Sequence, residues 1–103
     1  MPNSTVTLPQ WQIEIEELVH LRTRLLPPYK VVLFDDDYHE MDYVVFALLD
    51  TVGKLTAVEA EHIMLTAHLT GSAVVATCPR ETAEFYQDKL SGYGLKTTIE
   101  LED

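Results

Sequence analysis

The chain of 103 residues has a single cysteine, Cys78, which excludes an internal disulfide and favours a reducing compartment. It has only 7 Lys and Arg residues against 17 Asp and Glu residues, a formal net charge of −10. Because nucleic-acid binders neutralise phosphates with Lys and Arg, this balance argues against DNA or RNA, and equally against an anionic membrane, as the main partner. No apolar run approaches the ~18 residues of a membrane span. We therefore expect a cytoplasmic protein whose negative field suits cationic partners.

The length allows one small domain with an N-terminal extension. Pro27 and Pro28 form the clearest boundary, because consecutive prolines stop a helix and force an extended backbone. We predict an extension over residues 1–26 and a core domain over residues 27–103. The first ten residues have no periodic apolar face and are expected to be mobile. The next sixteen are predicted to form an amphipathic helix, with apolar residues at Trp11, Ile15, Leu18, Leu21 and Leu25.

The core domain is predicted to follow the order β-α-α-β-α-β. Thr56 and Glu59 match a capping box, and the almost wholly apolar segment after Glu40 predicts a core helix that ends near Gly53. With short connections and only three strands, we expect a compact α+β domain, a three-stranded antiparallel sheet with helices packed on one face. The predicted strands are Tyr29–Phe34, Ser72–Cys78 and Leu95–Leu101, and the predicted helices are Met41–Val52, Thr56–Gly71 and Pro79–Ser91.

Three consecutive carboxylates, Asp35, Asp36 and Asp37, stand between a predicted strand and an apolar helix. One interpretation is a solvated turn in which an Asp caps the helix, and the other is a site for a metal or an ammonium group. The spacing does not match a calcium loop, which needs Gly at its sixth and Glu at its twelfth position. A zinc site needs paired His or Cys ligands, which this turn lacks. We therefore expect no metal and no cofactor.

Met64 and His68 are four residues apart in a predicted helix and share one face. Methionine on such a face usually fills a core, and a lone histidine is usually half-buried and hydrogen-bonded. If this face meets the acidic turn, however, an apolar cup with carboxylates and an imidazole at its rim results. Such a cup suits the first residue of a peptide, whose α-amino group is largely protonated below its pKa of ~7.7–8.0. Spacing alone leaves both interpretations open.

Three stretches resemble the ClpS family, the adaptors that bring proteins with destabilising N-terminal residues to the ClpA or ClpC unfoldase of the Clp protease. They are PPYKVVLFDDDYHEMDYVVFALL, EAEHIMLTAHLTGSAVV and ETAEFYQDKLSGYGLKTTIE, in the family's order. The resemblance implies an adaptor of N-degron substrates, monomeric and not an enzyme, in the bacterial cytosol or, alternatively, the chloroplast stroma. Any ATP use then belongs to the unfoldase, and the extension takes part in cargo transfer or docks on a partner.

The resemblance also assigns roles to individual residues. The α-amino group of the substrate is expected to be bound by Asp35, Asp36 and His68. A methionine at position 41 is expected to crowd a β-branched first residue while admitting Leu, Phe, Tyr or Trp. An unfoldase interface on the last helix is expected to include Glu81 and Tyr86. The pocket for the first side chain is expected to comprise Asp37, His39, Met41, Val44, Met64 and Ala67.

Two alternatives remain. Asp35 replaces an Asn that is usual in the family and His39 replaces a Thr, so the chain is alternatively a ClpS-like interaction scaffold with altered or lost N-degron binding. Cys78, just before Pro79 at a helix start, is alternatively an enzymatic nucleophile, since a helix dipole can lower a thiol pKa. No Cys-His signature accompanies it, and a small buried residue at a strand end explains the cysteine equally well.

Overall fold

The computed structural model describes residues 7–102, except for the side chain of Thr23; the predicted mobile segment over residues 1–10 therefore lies partly outside the described residues. The described residues form four helices and three strands in an α+β arrangement. The elements are α1 Gln10–Leu25, β1 Tyr29–Phe34, α2 Met41–Thr51, α3 Ala57–Thr70, β2 Ser72–Cys78, α4 Arg80–Gly92 and β3 Thr97–Leu101.

The three strands form one antiparallel sheet in the order β2-β1-β3, which confirms the predicted fold class. The central strand carries the apolar run that the sequence marks as buried, with Val31 and Leu33 inside the core. In register, Val31 lies opposite Ala76 of β2 and Ile99 of β3. The side chains of α2, α3 and α4 cover this face, including Leu48, Ala60, Ile63, Ala83 and Leu90.

Helix α2 differs from the buried helix that the sequence predicts. Ala47 and Leu48 are fully buried, but Phe46 is 56% exposed and Met41 is 43% exposed. A helix in the outer layer of a two-layer domain has only one face against the core, so its remaining apolar residues face outward. The expectation of a core helix was therefore wrong for its outer face.

Helix α3 begins and ends where the sequence signals place it. The Thr56 hydroxyl accepts a hydrogen bond from the Glu59 amide at 3.1 Å, and a Glu59 carboxylate oxygen accepts one from the Thr56 amide at 2.9 Å. At the other end, Gly71 adopts a left-handed φ of 99°, and its amide donates to the Ala67 carbonyl at 2.8 Å. This glycine turns the chain directly into β2.

Two other boundaries differ slightly from prediction. Pro79 precedes α4 instead of lying in its first turn. Strand β3 begins at Thr97, because the Leu95 amide donates to the Leu90 carbonyl at 3.1 Å and so belongs to the turn after α4. Leu95 is buried there, only 2% exposed, and this position brings it to the site described below.

Helix α1 occupies most of the N-terminal extension, shifted by one residue from the predicted helix. Its apolar residues contribute nothing to the core cluster, and Trp11 and Leu18 are more than half exposed. No helix in residues 7–102 is both long and apolar enough to cross a membrane.

A cavity between the acidic turn and helix α3

A cavity of about 220 Å³ lies where the end of β1, the acidic turn, the start of α2 and the last turns of α3 meet. All nine residues that the sequence assigned to a binding site line it, so the two motifs do meet. Three further residues that the sequence analysis missed complete the lining. The twelve lining residues are Leu33, Phe34, Asp35, Asp36, Asp37, His39, Met41, Val44, Met64, Ala67, His68 and Leu95.

Asp35 and His68 meet because β1 passes the end of α3. The Asp35 amide donates to the Gly71 carbonyl at 3.0 Å, which fixes the first carboxylate beside the last turn of that helix. Asp35 Oδ1 then lies 3.5 Å from His68 Nδ1, and both side chains keep a substantial exposed fraction. A carboxylate and an imidazole are thereby presented side by side at the rim, open to a ligand.

Asp36 shapes the turn as well as contributing charge. Its Oδ1 accepts hydrogen bonds from the backbone amides of Tyr38 at 2.9 Å and His39 at 2.8 Å, and its Oδ2 lies 3.0 Å from His39 Nδ1. Burial alone raises the pKa of Asp36, but these hydrogen bonds outweigh it, so the pKa lies below its ordinary value. The carboxylate therefore stays ionised at neutral pH.

The apolar part of the cavity comes mainly from two helices. Met64 and Ala67 of α3 are almost fully buried, Val44 of α2 is half-buried, and Met41 stands more exposed at the rim. Ala60, one turn earlier on the face of Met64, is completely buried in the core, so the cavity ends at Met64. This face of α3 therefore does both things that its spacing allowed: it packs in the core at Ala60, and it lines the cavity from Met64 onward.

The three missed residues have different origins. Leu33 and Phe34 directly precede the acidic turn, so proximity in sequence could have indicated them. Leu95 carries no such signal, because only the turn after α4 brings it to the cavity.

Of the remaining predicted residues, Asp37 lines the mouth of the cavity as an exposed residue, and His39 forms one of its walls. In the described part of the chain, no group of three acidic, His or Cys residues is arranged to hold a metal ion.

Cys78 lies elsewhere, at the end of β2, and is 7% exposed. Burial raises the pKa of its thiol, and the opposing influence of the Lys54 charge is smaller. A thiol with a raised pKa stays protonated near neutral pH and is a poor nucleophile. The environment of Cys78 therefore matches the structural interpretation and not the enzymatic one.

Glu81 and Tyr86, the residues expected to contact an unfoldase, lie on α4 and do not line the cavity. Glu81 is exposed in the first turn of the helix, whereas Tyr86 is half-buried against the core. Both residues therefore lie on a surface separate from the cavity lining. The assignment of this surface to an unfoldase stays a prediction.

The fold and the cavity define a small α+β binding domain whose apolar recess has an acidic, imidazole-bearing rim. The family model for the "ATP-dependent Clp protease adaptor protein ClpS" matches residues 25–98. The chain belongs to the ClpS family. This match begins within two residues of the predicted boundary between extension and core.

Individual relatives are consistent with this membership. The chain is 43% identical over 82 residues to a Clp protease adapter protein ClpS from Synechococcus elongatus, a match that covers 80% of this chain and 86% of the relative. It is 40% identical over 87 residues to a ClpS from Gloeobacter violaceus, covering 84% and 94%. It is also 44% identical over 80 residues to the chloroplastic CLPS1 of Chlamydomonas reinhardtii, covering 77% and 49%.

Among solved structures, Agrobacterium tumefaciens ClpS2 bound to L-phenylalaninamide is similar to this chain, with a TM-score of 0.61 and 34% sequence identity. The match covers 73% of this chain and 96% of that one. The ligand of that protein carries a free α-amino group and an aromatic side chain on one residue.

Proposed function

We propose that this protein is a Clp protease adaptor that binds substrates through a bulky hydrophobic or aromatic first residue and its free α-amino group. The supporting observation is the cavity itself, where an apolar recess meets Asp35, Asp36 and His68 at one rim. Family membership and the phenylalaninamide bound to ClpS2 support the same ligand class. The adaptor role needs no catalytic group, in keeping with the buried Cys78.

The rim suits an ammonium group because its acceptors differ in kind. Asp35 offers a carboxylate with one oxygen 3.5 Å from His68, and the imidazole of His68 in its neutral form offers a nitrogen lone pair. Asp36 already accepts hydrogen bonds at both oxygens, so it acts chiefly as a fixed negative charge with a remaining lone pair. Charge-assisted hydrogen bonds of this kind are stronger than neutral ones.

The first side chain enters the recess formed by the buried residues Met64 and Ala67, beside Val44. Met41 at the rim narrows the entrance of the cavity close to the peptide backbone, and this excludes a first residue that is branched at its β-carbon. Replacing Met41 with Ala is expected to increase the affinity for a Val-initiated peptide more than for a Phe-initiated one. If the ratio of the affinities for the Val-initiated and Phe-initiated peptides is unchanged, the role assigned to Met41 is wrong.

Fluorescence anisotropy with short peptides tests the function directly. Peptides that begin with Leu, Phe, Tyr or Trp are expected to bind, and those that begin with the β-branched residue Val to bind more weakly. Acetylation of the α-amino group removes its charge and is expected to abolish binding. Equal binding of acetylated peptides would refute the proposal and favour a ClpS-like interaction scaffold.

The rim residues are tested with His68→Ala and a matched control in the same helix. His62 is also exposed on α3 but does not line the cavity. We expect His68→Ala to weaken peptide binding at least about tenfold, since a hydrogen bond to a charged group contributes about 1.5–3 kcal/mol and about 1.4 kcal/mol corresponds to tenfold. His62→Ala is expected to bind like the wild type, and normal binding by His68→Ala would show that the residue assignment is wrong.

Delivery to a ClpA- or ClpC-type unfoldase is part of the same proposal, with Glu81 and Tyr86 on the contact surface and the extension, residues 1–26, acting in cargo transfer. The compartment follows that of the unfoldase, the bacterial cytosol or the chloroplast stroma. Glu81→Arg is expected to leave peptide affinity unchanged and to slow degradation of a Phe-initiated reporter by the assembled Clp protease. Degradation at the wild-type rate would remove Glu81 from the interface.

A further inference from the structure

His39 forms one wall of the cavity, and its backbone and ring are both held by Asp36. The His39 amide donates to Asp36 Oδ1 at 2.8 Å, while its ring nitrogen Nδ1 lies 3.0 Å from Asp36 Oδ2. These contacts restrain the edge of the imidazole that carries Nδ1. The opposite edge of the ring, which carries Nε2, has no hydrogen bond to Asp36.

Tyr43 restrains the remaining freedom of this wall. Its ring lies parallel to the His39 imidazole, with centroids 5.1 Å apart and an interplanar angle of 15°. Tyr43 does not line the cavity, so it contacts the wall from outside. A stacked pair of this kind stabilises one arrangement of the ring over the alternatives.

Tyr43 is itself held in place from the turn after α4. Its hydroxyl donates to the Tyr93 carbonyl at 2.8 Å, and the Tyr93 ring meets Tyr43 edge-on with centroids 6.0 Å apart. The Tyr93 hydroxyl bonds in turn to Asp50, and Lys89 Nζ donates to the Asp50 carbonyl at 2.9 Å. The contacts join the end of α2 to the end of α4, so the support behind His39 is anchored on two helices.

Gly94 closes the third side of the histidine ring. It adopts a φ of 84°, and a Cβ added there would lie 3.1 Å from His39 Nε2 and 3.3 Å from its Cε1. The ring therefore occupies the space that a side chain at position 94 would need. Asp36, Tyr43 and Gly94 thus flank the imidazole on three sides, and His39 lines the recess.

From this arrangement we infer that Tyr43 is a specificity-determining positioning residue, which narrows the cavity through His39 and makes it favour Phe over Trp as the first residue. The inference rests on the proposed function. A wall that cannot retract limits the width of the recess, and the indole of Trp is the side chain most affected. Removal of the Tyr43 ring lets the His39 imidazole move, so the recess widens and the discrimination against Trp decreases.

The test compares the Kd of a Trp-initiated peptide with that of a Phe-initiated peptide of otherwise identical sequence. In the wild type this ratio is expected to exceed one. Tyr43→Leu is expected to lower it about fivefold, the change that corresponds to loss of a stacked aromatic pair. Tyr43→Phe keeps the ring and is expected to preserve most of the ratio.

Two controls separate this role from a general loss of structure. Phe85→Leu removes an exposed aromatic residue of α4 that contacts Tyr86 and does not line the cavity, so the ratio is expected to stay at its wild-type value. In a His39→Thr background, Tyr43→Leu is expected to have no further effect, because Tyr43 acts only through His39. A change of similar size in that background would overturn the inference.

Proton NMR of the His39 ring tests the contact without any peptide. Removal of the Tyr43 ring in Tyr43→Leu is expected to shift the imidazole proton signals, and Tyr43→Phe to leave them near their wild-type positions. An unmoved signal, or an unchanged Trp-to-Phe ratio in a protein that still binds both peptides, would overturn the inference alone. Failure of the wild type to bind any free-amine peptide would instead refute the proposed function.

Discussion

The carboxylate of Asp35 and the imidazole of His68 face each other at the mouth of the cavity, with Oδ1 and Nδ1 3.5 Å apart. The first follows a strand and the second precedes the end of a helix, and the amide of Asp35 joins these ends by its bond to the Gly71 carbonyl. Both side chains are partly exposed, and in the proposed function an ammonium group replaces their mutual contact.

Asp35→Asn tests what the additional charge contributes. The amide oxygen still accepts a hydrogen bond but carries no charge, so we expect affinity for a Phe-initiated peptide to fall about fivefold, since a partly exposed charge pair contributes up to about 1 kcal/mol. The salt dependence of Kd is expected to become shallower. Asp42→Asn, which removes an equal charge from the exposed first turn of α2, is the control. Equal losses in both variants would indicate a general field effect and no specific role for Asp35.

The lowered pKa of Asp36 predicts a loss of stability in acid. The Asp36 carboxylate binds a proton less readily in the folded state than in the unfolded state. Its contribution to the free energy of unfolding is therefore fully present above the unfolded pKa of about 3.9. It is lost as the pH falls through the lower, folded value. The measurement is the free energy of unfolding, obtained by chemical denaturation between pH 2 and pH 6, a range that brackets the unfolded pKa of about 3.9. We expect this free energy to depend less steeply on pH for Asp36→Asn than for the wild type. Asp50 and Glu59 also have lowered pKa values, so the difference between the two curves is the diagnostic quantity. Identical curves would mean that Asp36 is not stabilised in its ionised form.

The raised pKa and burial of Cys78 predict slow reaction with thiol reagents in the native protein. Labelling with a chromogenic disulfide at pH 8 is expected to be slow and to accelerate strongly in denaturant; this pH lies about half a unit below the ordinary thiol pKa of ~8.5. Rapid labelling of the folded protein would contradict the buried environment and reopen the interpretation of Cys78 as a nucleophile.

Thr56→Ala is expected to destabilise the domain by about 1 kcal/mol, since it removes the side-chain cap of α3. For a domain of this size the melting temperature falls by about 4–8 °C. Thr56→Ser retains the hydroxyl and is the matched control. Because α3 carries Met64 and His68 but the cap lies at its other end, peptide affinity of the folded protein is expected to be unchanged. A melting temperature equal to that of the wild type would show that the capping box contributes nothing to stability.

Much of the site was predictable from local signals and from the resemblance together. The run before Asp35 marks a buried strand, the Thr56–Glu59 capping box marks the start of α3, and these elements lie as predicted. The resemblance then selected nine lining residues from two separated motifs, and all nine line the cavity. Periodicity alone left the face of Met64 undecided, because core packing and cavity lining need the same spacing.

Local signals in the sequence were enough to predict which segments form helices and strands, because caps, prolines and alternation act over a few residues of chain. Tertiary structure alone decided which outer residues support the site. His39 and Tyr43 are only four residues apart, but nothing near Tyr43 in sequence indicates that its hydroxyl bonds to the Tyr93 carbonyl, and nothing near Leu95 places it in the cavity. The long-range contacts arise where α2 meets the turn after α4, and the packing of whole elements against one sheet sets that meeting point.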